Sequence, residues 1–163
     1  MVLTVGYYEL NLLLKYLEGN MFVNSYTLAS GEIIAKLCGG LIMSMVGLKR
    51  LHYLAFGFAT VGTLFMAIFY KTGAFTPYLI FFTRFGIGMG WLAVYFNIVL
   101  LFPTILKSSS AGIASFFGKM AGILVPFIAE LVPPLNILVL LACTVLALCL
   151  STCLILPLMN KKD

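Results

Sequence analysis

The chain has 163 residues, of which 63% are hydrophobic and only 9% charged, with a net charge of +5 and a mean hydropathy of +1.13. A soluble domain carries about a quarter charged residues and needs polar surface to face water, so this composition excludes a water-soluble globule and implies a lipid bilayer as the surroundings. The basic residues form no patch, only the adjacent pairs Lys49–Arg50 and Lys161–Lys162, and nucleic-acid binding is excluded with them.

A membrane helix needs about 20 mainly apolar residues. The opening stretch, residues 1–14, is too short to span unless it continues upstream or tilts, and is expected to be a shortened first helix. It carries Tyr7 and Tyr8, which are candidates for stacking on a substrate. Five full spans follow, at residues 22–46, 51–70, 75–101, 111–132 and 135–156, separated by breaks at 15–21, 47–50, 71–74, 102–110 and 133–134. None of these breaks is long enough to be a domain linker, so the fold class is an all-α integral membrane bundle of closely connected antiparallel helices. A cytoplasmic C-terminus (or matrix, in an organelle) places Lys49, Arg50, Lys107, Lys161 and Lys162 inside and Lys15 and Lys71 outside, the side favoured by the positive-inside bias.

The first full span, 22–46, contains Glu32 and Lys36, four residues apart on one helix face and able to neutralise each other. At the next boundary stands His52, beside Lys49 and Arg50, where an imidazole is expected to be solvated at the interface. The span 75–101 contains Arg84 and Trp91, and a run of glycines, Gly86, Gly88 and Gly90, with no strand before it. Small residues at this density let membrane helices approach closely. The span 111–132 contains Lys119 and Glu130, the latter a pairing partner within reach of Arg84 on a neighbouring helix. It also contains Pro126, which removes a backbone hydrogen bond and predicts a kink. Three of the four cysteines, Cys143, Cys149 and Cys153, fall in the last span and Cys38 in the first; without a Cys-x-x-Cys pair they read as small buried packing residues.

Ionisable groups in mid-span are costly unless they face protein or water. Counting Glu32, Lys36, Arg84, Lys119 and Glu130, the interior is net positive, which favours an anionic ligand in a low-dielectric cavity. No nucleophile elbow, phosphate loop, paired catalytic carboxylates or metal-ligand cluster is present, so no catalytic residue, cofactor or metal is assigned and an enzyme is not expected.

Several blocks resemble one known family. Phe102-Pro-Thr-Ile-Leu-Lys107, then Gly112, then Lys119-Met-Ala-Gly122-Ile-Leu-Val-Pro126 resembles the end of helix ten and helix eleven of the organic ion transporter family of the major facilitator superfamily. Gly47-Leu-Lys49-Arg50 is similar to that family's Gly-Arg-Arg loop after helix eight, Glu32-Ile-Ile-Ala-Lys36 to its acidic-x-x-Ala-Lys segment, Tyr7-Tyr8 to the paired tyrosines of helix seven, and Arg84 to a basic residue early in helix ten. The resemblance implies helices seven to twelve, a six-helix half-bundle of major facilitator type that carries small organic ions. It implies that Lys36 and Lys119 bind substrate, with Arg84, Tyr7 and Tyr8 at matching positions, and that Lys119 favours anions; Trp91, by its aromatic ring alone, is a further candidate for stacking on a substrate. It further implies structural or gating roles for Glu32, Lys49, Arg50, Pro103, Lys107 and Pro126. The sequence departs from the pattern at Leu100, Ser44 and Lys107, which replace polar positions that lock the cytoplasmic side, and at the additional Leu48.

Family members place the substrate between two six-helix bundles. The expectation is therefore a half-transporter for organic anions that needs a second six-helix bundle or a second copy of itself. The alternatives are a transport-inactive, transporter-derived subunit of a larger membrane complex and a truncated product without a role of its own.

Overall fold

The computed structural model describes residues 2–17, 20–69, 75–131 and 135–159, with side chains through residue 152. Six helices follow one another: α1 (Val2–Leu13), α2 (Met21–Val46), α3 (Leu48–Phe69), α4 (Thr76–Leu101), α5 (Thr104–Ala129) and α6 (Leu135–Met159). There is no strand among the described residues. Five of the helices, all but α1, are long and apolar enough to cross a bilayer, as the composition requires. Lys71, Lys161, Lys162, the side chain of Cys153 and the breaks at 71–74 and 133–134 lie outside the described residues.

Two helices begin earlier than hydropathy places them. The break at 47–50 shrinks to a single residue, Gly47, at φ 82°, where its N–H donates to the Met43 carbonyl at 3.0 Å. A left-handed residue ends α2 and lets the chain reverse at once, so Lys49 and Arg50 form the first turn of α3. Likewise α5 starts at Thr104 behind Pro103, its N-cap, whose fixed φ of −62° precedes the helix. Lys107 and Ser108–Ser110 are therefore helical. Polar residues end an apolar window without ending a helix. At its other end α5 runs on through Pro126 to Ala129, with the Gly122 carbonyl deprived of its usual donor.

Small residues hold the bundle together, and α4 is the axis. On one side Gly31, Ala35 and Gly39 of α2, spaced by four, lie against Phe81, Arg84, Gly88 and Leu92 of α4. On the other side Gly86 of α4 meets the backbone of Ala55 and Ala59 in α3, while Gly62 of α3 meets the backbone of Thr83. The Gly86-x-Gly88-x-Gly90 run thus serves three neighbours in turn: α3, then Ala35 of α2, then Leu3 of α1. Close backbone approach of this kind is how helices associate where apolar burial gives no driving force. Helix α6 packs on α3, with a Thr63–Thr144 hydroxyl contact of 3.3 Å, and α5 rests mainly on α1 through Gly118 against Thr4 and Gly122 against Tyr8.

His52, expected at a wet interface, is only 4% exposed. Its Nδ1–H donates to the Leu48 carbonyl at 3.0 Å, leaving Nε2 to accept from the Asn97 amide at 2.8 Å. It joins α3 to α4 from within a helix that begins three residues earlier than the hydropathy profile indicates, so it is not a boundary residue. The cysteines depart from their expected burial as well: Cys38 and Cys143 are half-buried and Cys149 is exposed on the bundle surface.

A Cβ at Gly86 would lie 2.8 Å from the Ala55 carbonyl oxygen, a contact with backbone that cannot rotate away. Gly86→Ala is expected to lower stability by about 1–3 kcal/mol through overpacking. Gly112→Ala, where no atom lies within 4 Å, is expected to be neutral or slightly stabilising. Thermal unfolding of both variants in lipid nanodiscs measures the difference.

Candidate functional site

Arg84 lies on the α2-facing side of α4 and is 1% exposed. A guanidinium there needs fixed acceptors, and two helices provide them. From α2, Glu32 Oε2 accepts from Arg84 Nη2 at 2.5 Å. From α1, the Tyr7 carbonyl accepts from Nη1 at 3.3 Å, and the Tyr7 ring lies under the guanidinium with its centroid 3.6 Å away. Arg84 Nε has no hydrogen-bond partner among the described residues. The pairing of Arg84 with Glu130 does not occur: Glu130 is exposed at the C-cap of α5, whereas Glu32 sits directly across the α2–α4 contact.

The second oxygen of Glu32 accepts from Lys36 Nζ at 2.7 Å, the expected pair one turn apart. The Lys36 side chain is 59% exposed and Glu32 is 21% exposed. The carboxylate is thus shared between an enclosed cation and an open one.

These groups border a cavity of about 410 Å³, within the range of about 300–1,000 Å³ usual for small-molecule sites. Its cations are Lys36 of α2, Arg84 of α4 and Lys119 of α5, its single anion is Glu32, and its aromatic walls are Tyr7, Tyr8 and Trp91. All six residues named from sequence as candidate substrate contacts therefore border one space. Tyr95, Thr4 and Ser115 border it too and were not singled out. Tyr95 follows Trp91 by one turn and stacks on it, with centroids 5.9 Å apart, so helical spacing from Trp91 was the available signal. Among the residues given gating roles, Glu32 alone lies on the cavity. Pro103 and Lys107 belong to the start of α5, Lys49 and Arg50 to the start of α3, and Pro126 to the far end of α5.

One ionisable residue escaped the sequence count. Glu9 of α1 is fully buried, and neither carboxyl oxygen has a hydrogen-bond partner among the described residues. It was overlooked because the stretch containing it is too short to register as a span. Among the described residues, no group of three or more His, Cys, Asp or Glu could hold a metal ion.

The chain is 26% identical over 134 residues to solute carrier family 22 member 21 of Mus musculus and 27% identical over 134 residues to organic cation/carnitine transporter 2 of Homo sapiens, in each case over 80% of this chain. It is 30% identical over 132 residues, 78% of its length, to solute carrier family 22 member 16 of Homo sapiens. The chain is an all-α integral membrane half-bundle that is similar, over about four fifths of its length, to these organic ion transporters. No family model matches it. The chain covers 22–24% of the length of these relatives, about a quarter. Two of the three are carriers by name of the solute carrier family, and the third is named for organic cations and carnitine.

Replacing Glu32 by Gln keeps its shape but strands a buried guanidinium, and removing one partner of a buried ion pair costs about 3–5 kcal/mol. Lys36→Met breaks only the open arm of the same carboxylate, and loss of an exposed pair costs under about 1 kcal/mol. Chemical unfolding in matched micelles is expected to rank Glu32→Gln as the far less stable variant.

Proposed function

We propose that this chain forms one wall of a transmembrane pathway for small organic solutes, and that the solutes are anions. The observation that carries this reading is the composition of the cavity rim: three cations, one carboxylate already shared between two of them, and aromatic rings on the α1 and α4 sides. A low-dielectric cavity of net positive charge attracts an anion, and flat rings give an aromatic body a surface to stack on. Lys119 has no ion-pair partner among the described residues and is the cation most available to a ligand carboxylate or sulfonate. The similarity to organic ion transporters supports solute movement as the activity.

The second wall comes from another six-helix bundle. Helices α2 and α5 are the least buried of the five spans, and they carry Lys36 and Lys119. Left against acyl chains, these two ammonium groups would each cost at least about 2.5 kcal/mol at mid-bilayer. A covering bundle converts that penalty into an enclosed binding site. The same uncovered faces also suit a structural subunit fixed among unrelated membrane proteins, the competing reading.

Uptake of a labelled aromatic sulfonate into proteoliposomes containing the full chain with its copurifying partners tests the proposal. Uptake is expected to fall at least about tenfold in Lys36→Ala plus Lys119→Ala, since a hydrogen bond to a charged group contributes about 1.5–3 kcal/mol. Unchanged uptake in the double variant removes the proposed site. Absence of uptake in a preparation where the chain sits at fixed stoichiometry among many different subunits favours the structural role.

A further inference from the structure

Glu9 stands two residues beyond Tyr7 on α1, roughly 200° around the helix at 3.6 residues per turn. Tyr7 therefore borders the cavity while Glu9 turns into the packed side of α1, toward α6. One turn before it, a Cβ at Gly6 would lie 3.5 Å from Leu140 of α6 and 3.3 Å from Ile87 of α4, so α1 is close-packed there. Leu10 and Leu13, next along the helix, belong to the same apolar cluster as Ile87, Ile137 and Leu140.

A carboxylate in such a place is among the most costly groups a bundle can hold. Each of the other enclosed charges has its counter-charge: Arg84 has Glu32, and Glu32 has Arg84 and Lys36. Glu9 has none among the described residues, and there both its oxygens lack even a hydrogen-bond donor. The groups on the helices packed against α1 do not supply one. On α4, Arg84 is bound to Glu32 and Tyr7 on the cavity side. On α5, Lys119 is exposed at the cavity and Glu130 is exposed at the helix end. On α6, the titratable group in electrostatic reach of Glu9 is Cys143, which carries no positive charge in either protonation state.

We propose that Glu9 is a proton-binding site that couples solute movement to proton movement: its carboxyl is the neutral acid while α1 is packed against α6, and ionises when the two helices part and water reaches it. The chemistry is one reversible proton transfer. A hydronium ion on one side of the membrane protonates the carboxylate, giving the acid and water, and the acid returns its proton to water on the other side. Because Tyr7 and Glu9 belong to one short helix, a solute held against Tyr7, Tyr8 and Arg84 and the contact between α1 and α6 bias the same element. An anionic solute and a proton then cross together, and their charges cancel. This coupling rests on the transport reading above; the protonation of Glu9 does not, and the two are separable by experiment.

Infrared difference spectroscopy of the full chain in lipid nanodiscs, taken over a pH series, reads the site without transport. The wild type is expected to show the carbonyl stretch of a protonated carboxylic acid at neutral pH, and Glu9→Gln, which mimics the neutral acid in shape, to lack it. Glu9→Leu is the second variant, suited to the apolar surroundings, and is expected to lack the band as well. A spectrum with no such band at neutral pH, or one unchanged by both variants, overturns the site.

Proteoliposomes with an internal pH dye read the coupling, using an aromatic sulfonate that stays ionised throughout. An inward proton gradient is expected to accelerate wild-type uptake severalfold, up to the limit of about tenfold per pH unit for one proton, with acidification of the lumen. Glu9→Gln is expected to retain solute exchange but lose both the gradient response and the acidification. Solute uptake without proton flux in the wild type overturns the coupling and leaves the transport reading intact. A band at Glu9 with no uptake of any solute overturns the transport reading and the coupling with it.

Discussion

A guanidinium cannot be left unpaired inside an apolar bundle, and the arrangement of this chain around its cavity follows from that single requirement. Arg84 draws Glu32 across from α2 and the Tyr7 carbonyl and ring across from α1. Three helices that are distant in sequence thereby converge on one side chain. The approach is possible because Gly31, Ala35 and Gly88 remove the side chains that would otherwise hold α2 and α4 apart. Packing and electrostatics are thus one device: small residues bring the backbones close, and the ion pair sets their register.

The same device decides the character of the cavity. Glu32 is the carboxylate on its rim, and its two oxygens are already engaged by Arg84 and Lys36. An incoming cation would have to compete with both. An incoming anion meets Lys119, which has no such commitment among the described residues. The proposed preference for negative charge therefore rests on which groups are already occupied as much as on how many there are of each sign.

The parts of the molecule that were legible in sequence are those governed by composition and short-range spacing. Five spans could be counted because hydrocarbon imposes a length on any helix that crosses it. The Glu32–Lys36 pair was legible because residues four apart share a helix face. The convergence of Tyr7, Tyr8, Arg84, Lys36 and Lys119 on one cavity was indicated by the resemblance of the motifs that contain them, since nothing local relates α1 to α5, whereas Trp91 was a candidate by its ring alone. Three features were not legible. The partner of Arg84 depends on how α4 is rotated between its neighbours, which charge counting does not fix. The burial of His52 depends on α3 starting at Leu48, where a lysine and an arginine mask the helix start. Glu9 was hidden by a rule of length, because a helix of 12 residues fails the criterion for a span while still sheltering a side chain completely.

The distribution of close contacts also divides the bundle mechanically. Helices α2, α3 and α4 are joined backbone to backbone, and α6 is tied to α3. Helix α5 touches that block sparingly and leans on α1 instead. The cavity therefore has its cations on two bodies: Lys36 and Arg84 on the rigid block, Lys119 on the α1–α5 leaf. A swing of that leaf would have to open the seams at Gly90 against Leu3 and at Gly6 against Ile87 and Leu140, so the span between the ammonium groups is set by how α1 seats on the block.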